Sequence, residues 1–555
     1  EDTGDPDVPH NKYNLAVFGE WGTSMMGLAG RDPIFHAQLE AEQALRPEIK
    51  DWTADLCLSC HQVAGQRQFH LDGNNGHFTA KYTYDKSNGK TQSPAAEYGA
   101  LGRDGVTCTV CHQITPEGLG EPETFTGKFN INAEPGTMWG PFADADIKPY
   151  YMQQSMAMQP RFGKQITDSG LCGSCHTINL PVLPRDASAP PGPDAKIVHE
   201  QTTYLEWLNS DFTDSPDTTC QGCHMPNMFK GNGPLKSRIA NVEDENFPYI
   251  DNRADGSLIT PEEKEYRRHT LVGLSLVANR MFQQFPEVLG ITTLDPGTPL
   301  TYGPSAKGAV HRLTLTQQEM EQIATETVAL DASVTSRTAT GWDVTVDIQN
   351  LAGHKFPSGV GFRRAFIQVI AENADGQTVW ASGATDGAGV ILGSNGEALP
   401  GEFSLNWQDL QPNYSVIDAQ DQVLIFESRH INDEGNLTTS FLGLAKEVKD
   451  NRLLPKGWQP DGPYADETQL RKLGGELFNP AQPGSRNVRY QINANDIAQV
   501  RVRLLYQSTP PYYLRDRFQT SGPETDRLHY LASYVNLDKT IAEDWAVEVA
   551  STTVK

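Results

Sequence analysis

The chain has little cysteine, little positive charge and no long apolar segment. Its 555 residues include 8 Cys, and 45 Lys and Arg are outnumbered by 70 Asp and Glu, which gives a formal charge of −25. Such an acidic surface repels nucleic acids and anionic membranes, so we expect neither as a partner. No stretch approaches the about 20 apolar residues that a membrane-spanning helix needs. Eight cysteines are also too sparse at this length for a disulfide-stabilised secreted scaffold.

All eight cysteines fall into four copies of one pentapeptide, C-x-x-C-H. Motif 1 is Cys57–His61, motif 2 is Cys108–His112, motif 3 is Cys172–His176 and motif 4 is Cys220–His224. This is the attachment sequence of c-type haem, in which the two thiols form thioethers and the histidine binds the iron. Zinc ribbons do not require a histidine after every second cysteine, and a thioredoxin-like dithiol needs only one C-x-x-C. The sequence therefore predicts four covalently bound haems.

The residues predicted to bind these haems are Cys57, Cys60, His61, Cys108, Cys111, His112, Cys172, Cys175, His176, Cys220, Cys223 and His224. Of these, His61, His112, His176 and His224 are the predicted proximal iron ligands.

Helical patterns accompany the motifs in the first part of the chain. Helices are predicted over 32–45, with Asp32 as N-cap, over 201–208, from 260 towards His269, and over 315–330. Together with turn-rich connections they predict a loop-rich, partly helical tetrahaem cytochrome c domain over residues 1–310 and a connecting helix over 311–330.

The pattern changes after about residue 331, where cysteine is absent. Runs of alternating apolar and polar residues at 342–348, 365–370, 422–426 and 499–505 are typical of strands. They predict an antiparallel β-sandwich domain over 331–555 that carries no cofactor of its own. The fold class is therefore mixed.

The stretches around the motifs resemble a broad family of bacterial multihaem c-type cytochromes. The matching stretches are Trp21-Gly-Thr-Ser-Met-Met26, Arg31-Asp-Pro33, Arg103-Asp-Gly-Val-Thr-Cys108, Glu200-Gln-Thr-Thr-Tyr-Leu-Glu-Trp207, Arg268-His-Thr-Leu-Val-Gly273, Gly353-His-Lys-Phe-Pro-Ser-Gly359, Arg363-Arg364 and Asp450-Asn-Arg-Leu-Leu-Pro-Lys-Gly457. The resemblance implies an exported electron carrier, and one subset of such proteins polymerises into conductive filaments.

A second axial ligand on each iron decides between electron transfer and chemistry at the metal. Ten histidines lie outside the motifs. His269 is a leading distal candidate because its segment resembles a haem-contact segment of that family. His354 is the other, because the glycine before it and the proline after it predict a rigid loop that holds the imidazole outward.

Weaker distal candidates sit near predicted helix ends. His36 falls in the first turns of the helix capped by Asp32, and His199 directly precedes the helix predicted over 201–208. Further alternatives are His70 and His77, in a predicted Gly/Asn-rich loop, and Met25 and Met26.

Three functions stay open at this point. The first is electron transfer through four haems, with redox proteins or extracellular acceptors as partners. The second is a subunit of an extracellular haem polymer, and the third is an oxidoreductase with one open haem site. Because haem is attached outside the cytoplasmic membrane, we expect a periplasmic or extracellular protein whose signal segment has been removed.

Overall fold

The structure is a computed structural model that describes residues 15–83, 94–132, 136–144, 149–231, 234–237, 264–291 and 311–555. Its α-helices are α1 (Val17–Thr23), α2 (Pro33–Leu45), α3 (Lys50–His61), α4 (Val63–Leu71), α5 (Pro94–Arg103), α6 (Cys108–Gln113), α7 (Pro149–Met156), α8 (Ser169–His176), α9 (Thr203–Leu208), α10 (Cys220–His224), α11 (Leu276–Gln284), α12 (Arg312–Thr325), α13 (Ala465–Thr468), α14 (Pro511–Phe518) and α15 (Pro523–Tyr534).

Most of the strands follow α12. They are β1 (Thr137–Gly140), β2 (Gln159–Phe162), β3 (Ile178–Pro181), β4 (Ile197–Gln201), β5 (Lys236–Ser237), β6 (Lys264–Glu265), β7 (Val328–Thr338), β8 (Gly341–Asn350), β9 (Arg364–Glu372), β10 (Thr378–Ser382), β11 (Val416–Ile417), β12 (Ile425–Ile431), β13 (Leu437–Thr438), β14 (Lys446–Asp450), β15 (Leu470–Arg471), β16 (Leu477–Phe478), β17 (Ser485–Ile492), β18 (Gln499–Gln507), β19 (Ala542–Glu543) and β20 (Ala546–Val554).

The predicted helix at Asp32 is confirmed. The Asp32 carboxylate accepts a hydrogen bond from the Ile34 backbone N–H at 2.9 Å, with Pro33 at the first helical position. The helix ends at Leu45, two residues before Pro47. The acceptor side chain at the N-cap pairs with a free backbone N–H, and proline at N1 restricts the backbone of the first turn. These local residues therefore determine where the helix begins.

Two helix predictions were wrong in their bounds. Residues 197–201 pair with β3 as strand β4, so α9 begins at Thr203 and His199 lies in a strand. Helix α12 ends at Thr325 because residues from Val328 onwards pair with β8. In both cases backbone pairing with a neighbouring strand overrides the local helical pattern.

The predicted helix leading to His269 is also not observed where the chain is described. Residues 260–263 lie outside the described residues, and Lys264–Glu265 form strand β6 against β5. His70 lies in α4 rather than in a loop.

Two sheets form most of the second half of the chain. One has the strand order β16-β15-β14-β12-β9-β18-β20-β19, with β10 on β9 and β13 on β12; the other is β11-β17-β8-β7. Their strands pair antiparallel except β11 with β17. The prediction of a mixed fold with antiparallel sheets is confirmed, whereas the boundaries at 310 and 330 stay predictions.

The sheets share one apolar core. Its buried members include Val344 and Val346 of β8, Val488 and Tyr490 of β17, Ile367 and Val369 of β9, and Val502 of β18. The alternating runs bury every second side chain of β8 and β17 in this core, which is what the period of two requires.

The end of the chain returns to the helices that precede the sheets. Leu528 and Leu531 of α15 share a buried cluster with Ala37 of α2 and Val277 of α11. The Glu40 carboxylate of α2 accepts the backbone N–H of Thr525 at 2.8 Å. None of the described helices combines the length and the apolar character needed to cross a bilayer.

Candidate functional site

Each C-x-x-C-H motif lies on a helix that ends at its histidine or one residue later. Helices α3, α8 and α10 end at His61, His176 and His224, and α6 ends one residue after His112. Residues at positions i, i+3 and i+4 share one helix face, so both thiols and the imidazole of a motif point in one direction. No cysteine forms a disulfide. This arrangement fits one porphyrin per motif.

Glycines inside motifs 3 and 4 allow these helices to pack closely. A Cβ on Gly173 would lie 2.5 Å from the Tyr204 ring, and one on Gly222 would lie 2.2 Å from the Asp217 carbonyl oxygen. Any larger residue would force the motif helices away from these neighbours. The variable positions of both motifs are therefore restricted by packing.

Motif 3 lies at the centre of the motif array. The Cys175 thiol lies close enough to the Cys60 thiol of motif 1 for each to shift the pKa of the other, and the same holds for the Cys172 thiol and the Cys220 thiol of motif 4. Cys111 of motif 2 is close enough to act electrostatically on both motif 3 cysteines. The order of the motifs in space therefore differs from their order in the chain.

Three motif histidines have a polar partner at Nδ1. The His112 ring nitrogen lies 2.5 Å from the Trp139 carbonyl oxygen, and that of His224 lies 3.0 Å from the Val272 carbonyl oxygen. His176 Nδ1 lies 2.9 Å from the Gln201 side-chain amide. A partner at Nδ1 directs the other nitrogen, Nε2, towards a metal.

His61 differs from the other three. Its Nδ1 is buried and has no hydrogen-bond partner among the described residues. The Phe35 ring stacks on its imidazole, with ring centroids 3.6 Å apart and planes at 7°. Stacking orients the ring by its face and keeps the Phe35 ring out of the plane in which Nε2 would bind a ligand.

The structure brings His354 opposite His224. Their ring centroids lie 6.4 Å apart with planes at 11°. Two imidazoles on one metal ion have centroids about 6 Å apart, because each metal–nitrogen bond is about 2 Å and each nitrogen lies about 1 Å from its ring centre. His354 Nδ1 lies 3.0 Å from the Lys355 carbonyl oxygen, so Nε2 is the available ligand atom. The pair therefore has the spacing of two axial ligands.

His269 lies near motif 2 while its backbone runs along motif 4. His112 lies close enough to His269 to contribute to the lowering of the His269 pKa. The Leu271 backbone N–H donates to the His224 carbonyl oxygen at 3.0 Å, and Val272 supplies the partner of His224 Nδ1. One short segment thus presents a histidine towards motif 2 and orients the histidine of motif 4.

The two weaker candidates have different surroundings. His36 is buried, contacts the Gly30 carbonyl oxygen through Nε2 at 2.9 Å, and acts electrostatically on His61. His199 Nδ1 lies 2.6 Å from the Asn179 side-chain oxygen, in the same strand as Gln201. His36 therefore lies near motif 1, and His199 lies near motif 3.

The remaining alternatives lie elsewhere. His70 and His77 both contact the Asp55 carboxylate, at 3.0 and 3.5 Å. Met25 packs beside the apolar cluster that contains Val277.

Burial keeps several candidate ligands neutral. It lowers the pKa of His61 to about 3 and the pKa of His269 to about 4, and neighbouring histidines act in the same direction. It also lowers the pKa of His224, with His354 adding to the effect. Neutral imidazole is the form that binds metal.

A buried ion network holds the loop of His354. The Glu206 carboxylate accepts the Lys355 backbone N–H at 3.0 Å, and the Lys355 ammonium donates to Asp450 at 2.7 Å. Arg452 donates to Asp450 at 2.7 Å and lies 3.5 Å from Glu206. These two cations outweigh burial and hold the pKa of Asp450 well below its usual range. Two positive and two negative groups balance within the network.

A second network holds the backbone of His269. The buried Glu20 carboxylate accepts the His269 backbone N–H at 2.8 Å and lies 2.6 Å from the Arg268 guanidinium. Glu319 contacts Arg268 and lies 3.0 Å from Arg312. Burial raises the pKa of Glu20 to about 7 against the opposing charges of both arginines. Both leading distal candidates are therefore anchored by a buried carboxylate.

Sequence reasoning did not identify Glu20, Gln201 or Glu206 as parts of a site. Gln201 and Glu206 lie in the stretch 200–207 that carries the family resemblance, and Lys355 and Arg452 lie in two others. Their location in these stretches was a signal that could have identified them. Residues that resemble a family outside its C-x-x-C-H motifs are expected to have another structural role.

The structure of this chain is similar to the solved structure of a penta-heme cytochrome c552 from Thermochromatium tepidum. The two share a TM-score of 0.46 and 14% sequence identity over 97% of this chain and 95% of that chain. No family model matches this sequence, and no curated protein matches it.

Proposed function

We propose that this chain is a tetrahaem c-type cytochrome that transfers single electrons through haems held at motifs 1 to 4. The observation that carries the proposal is the imidazole pair of His224 and His354, at 6.4 Å and 11°. Two strong-field nitrogen ligands on one iron favour electron transfer over chemistry at the metal.

The chain's own residues would do three things. The motif cysteines would attach each haem and the motif histidines would bind its iron, while His354, His269 and His36 would complete the coordination at motifs 4, 2 and 1. Carbonyl oxygens at Nδ1 would hold the ring protons in place on His112 and His224, and Gln201 would do the same for His176 when its amide oxygen faces the ring. Bound haem supplies one-electron Fe(III)/Fe(II) cycling.

The contacts between motif cysteines support a compact array. Electron tunnelling requires closely spaced centres, and the cysteines of motif 3 lie close enough to those of motifs 1 and 4 to shift their pKa values. The acceptor would be a redox protein or an extracellular acceptor, in the periplasm or outside the cell, and assembly into a haem polymer would use the same array.

The surroundings of motif 3 favour one alternative function, an oxidoreductase with an open haem site. Three charged or titratable groups lie close enough to His176 to lower its pKa, namely His224, Arg363 and His354, and His354 already faces His224. If His199 does not reach this iron, motif 3 would hold an open haem, as an oxidoreductase requires.

Mass spectrometry and EPR test the proposal. The 61.1 kDa polypeptide should carry four haems of roughly 0.6 kDa each, and C57S/C60S should carry three. His354→Ala and His269→Ala should each convert one low-spin iron to high spin, whereas His529→Ala should not. A native protein with fewer than four haems, or unchanged spectra in both ligand variants, contradicts the proposal. One high-spin iron in the native protein would instead support the oxidoreductase.

A further inference from the structure

The four motif histidines differ in what they meet at Nδ1. His112 and His224 contact main-chain carbonyl oxygens, His61 has no partner among the described residues, and His176 contacts a side chain, that of Gln201. A stronger acceptor at Nδ1 makes the imidazole a stronger donor to its metal and stabilises the oxidised ion. Motif 3 is therefore the site where a single side chain acts on the proximal ligand.

The position of Gln201 is fixed by its surroundings. It is the last residue of β4 and pairs with Ile178, two residues after His176. Its amide lies 3.4 Å from the Thr203 hydroxyl, which in turn lies 3.1 Å from the Ser358 hydroxyl. This chain of contacts connects the histidine of motif 3 to the loop that carries His354.

The amide can present either of its polar atoms to the ring. Nε2 is the atom that faces His176 Nδ1, and a half-turn of the amide places Oε1 there instead. A histidine bound to iron through Nε2 carries its proton on Nδ1, so it donates and Oε1 accepts.

We propose that Gln201 is a positioning residue that lowers the reduction potential of the haem at motif 3 by accepting the Nδ1 proton of His176. The proposal rests on the proposed function. Because motif 3 contacts motifs 1 and 4, this potential sets the driving force for electron exchange with both neighbours. Reduction adds one electron from a one-electron donor, and the proton stays on Nδ1.

Potentiometric titration of the holoprotein tests the proposal with two opposite variants. Gln201→Leu removes the acceptor, so one of the four potentials should rise. Gln201→Glu supplies a stronger acceptor, so the same potential should fall. The other three should move less. A purely structural role of Gln201 would shift the potential in one direction in both variants.

Matched controls use Gln322, an exposed residue of α12 whose amide donates to Glu326. Gln322→Leu and Gln322→Glu should leave all four potentials unchanged. Haem content and spin state are measured first. A native protein without four haems contradicts the proposed function. Four haems with unchanged or same-direction shifts in both Gln201 variants overturn only the role of Gln201.

Discussion

Glu206 offers the sharpest test of how the loop of His354 is held. Its side chain is 1% exposed, accepts the Lys355 backbone N–H at 3.0 Å and lies 3.5 Å from Arg452. It also accepts the Thr202 hydroxyl at 2.7 Å. Since α9 carries Glu206 while Lys355 follows β8, this carboxylate joins the helix to the loop.

The expected loss in the free energy of unfolding depends on which buried groups each substitution leaves without a partner. Glu206→Gln keeps an acceptor for Lys355 N–H but leaves two buried cations against Asp450 alone, which should lower the free energy of unfolding by about 3 kcal/mol. Glu206→Ala also leaves the Lys355 N–H without a partner, which adds about 2 kcal/mol. We therefore expect a loss of about 5 kcal/mol in the alanine variant.

Denaturant unfolding measures the loss of stability, and EPR reports whether the haem next to His354 stays low-spin. Glu206→Ala should destabilise the protein and turn part of one haem to high spin, because the loop next to His354 loses its anchor. Lys355→Met should cost about 3 kcal/mol yet keep the low-spin spectrum, since the backbone contact to Glu206 remains. Glu326→Gln, an exposed control directly after α12, should stay within about 0.5 kcal/mol. Native stability in Glu206→Ala would refute this account of the network.

Two further predictions concern other buried charges. Glu20→Ala removes the acceptor of the His269 backbone N–H, so it should loosen this backbone and raise the high-spin signal of one haem by EPR. An unaltered spectrum would show that Glu20 does not hold His269 in place. Burial acts to raise the pKa of Glu427, but Lys449 and Arg429 outweigh it and hold the pKa at about 2, below the ordinary value of 4.5. This stabilisation, about 3 kcal/mol, is present above pH 4.5 and lost as pH falls towards 2. Acid unfolding should therefore be steeper in the native protein than in Glu427→Gln, and equal slopes would contradict it.

Local sequence was sufficient for features that depend on neighbouring residues. The Asp32 cap, the strands β8, β9 and β18, and the C-x-x-C-H motifs are each encoded by residues that lie close together in the sequence. The bounds of α9 and α12 were missed because strand pairing with β3 and β8 decides them.

The candidate site depended on contacts between distant residues. The local context of His354 pointed to a ligand, but its opposition to His224, 130 residues away, is a property of the folded chain. Likewise, nothing in the spacing of the motifs indicates that motif 3 contacts motifs 1 and 4, because the intervening loops set that arrangement.

The stretches that carry the family resemblance outside the C-x-x-C-H motifs lie next to the candidate ligands in the folded chain. This location gives those stretches a physical role. Glu206, Lys355 and Arg452 come from three such stretches and form one buried network. A buried charge without its partner is costly, so such a network is kept only as a set. Gln201 contacts the histidine of motif 3 from the same stretch in which Glu206 anchors the loop facing motif 4. A change in this one segment should therefore affect two neighbouring haem sites together.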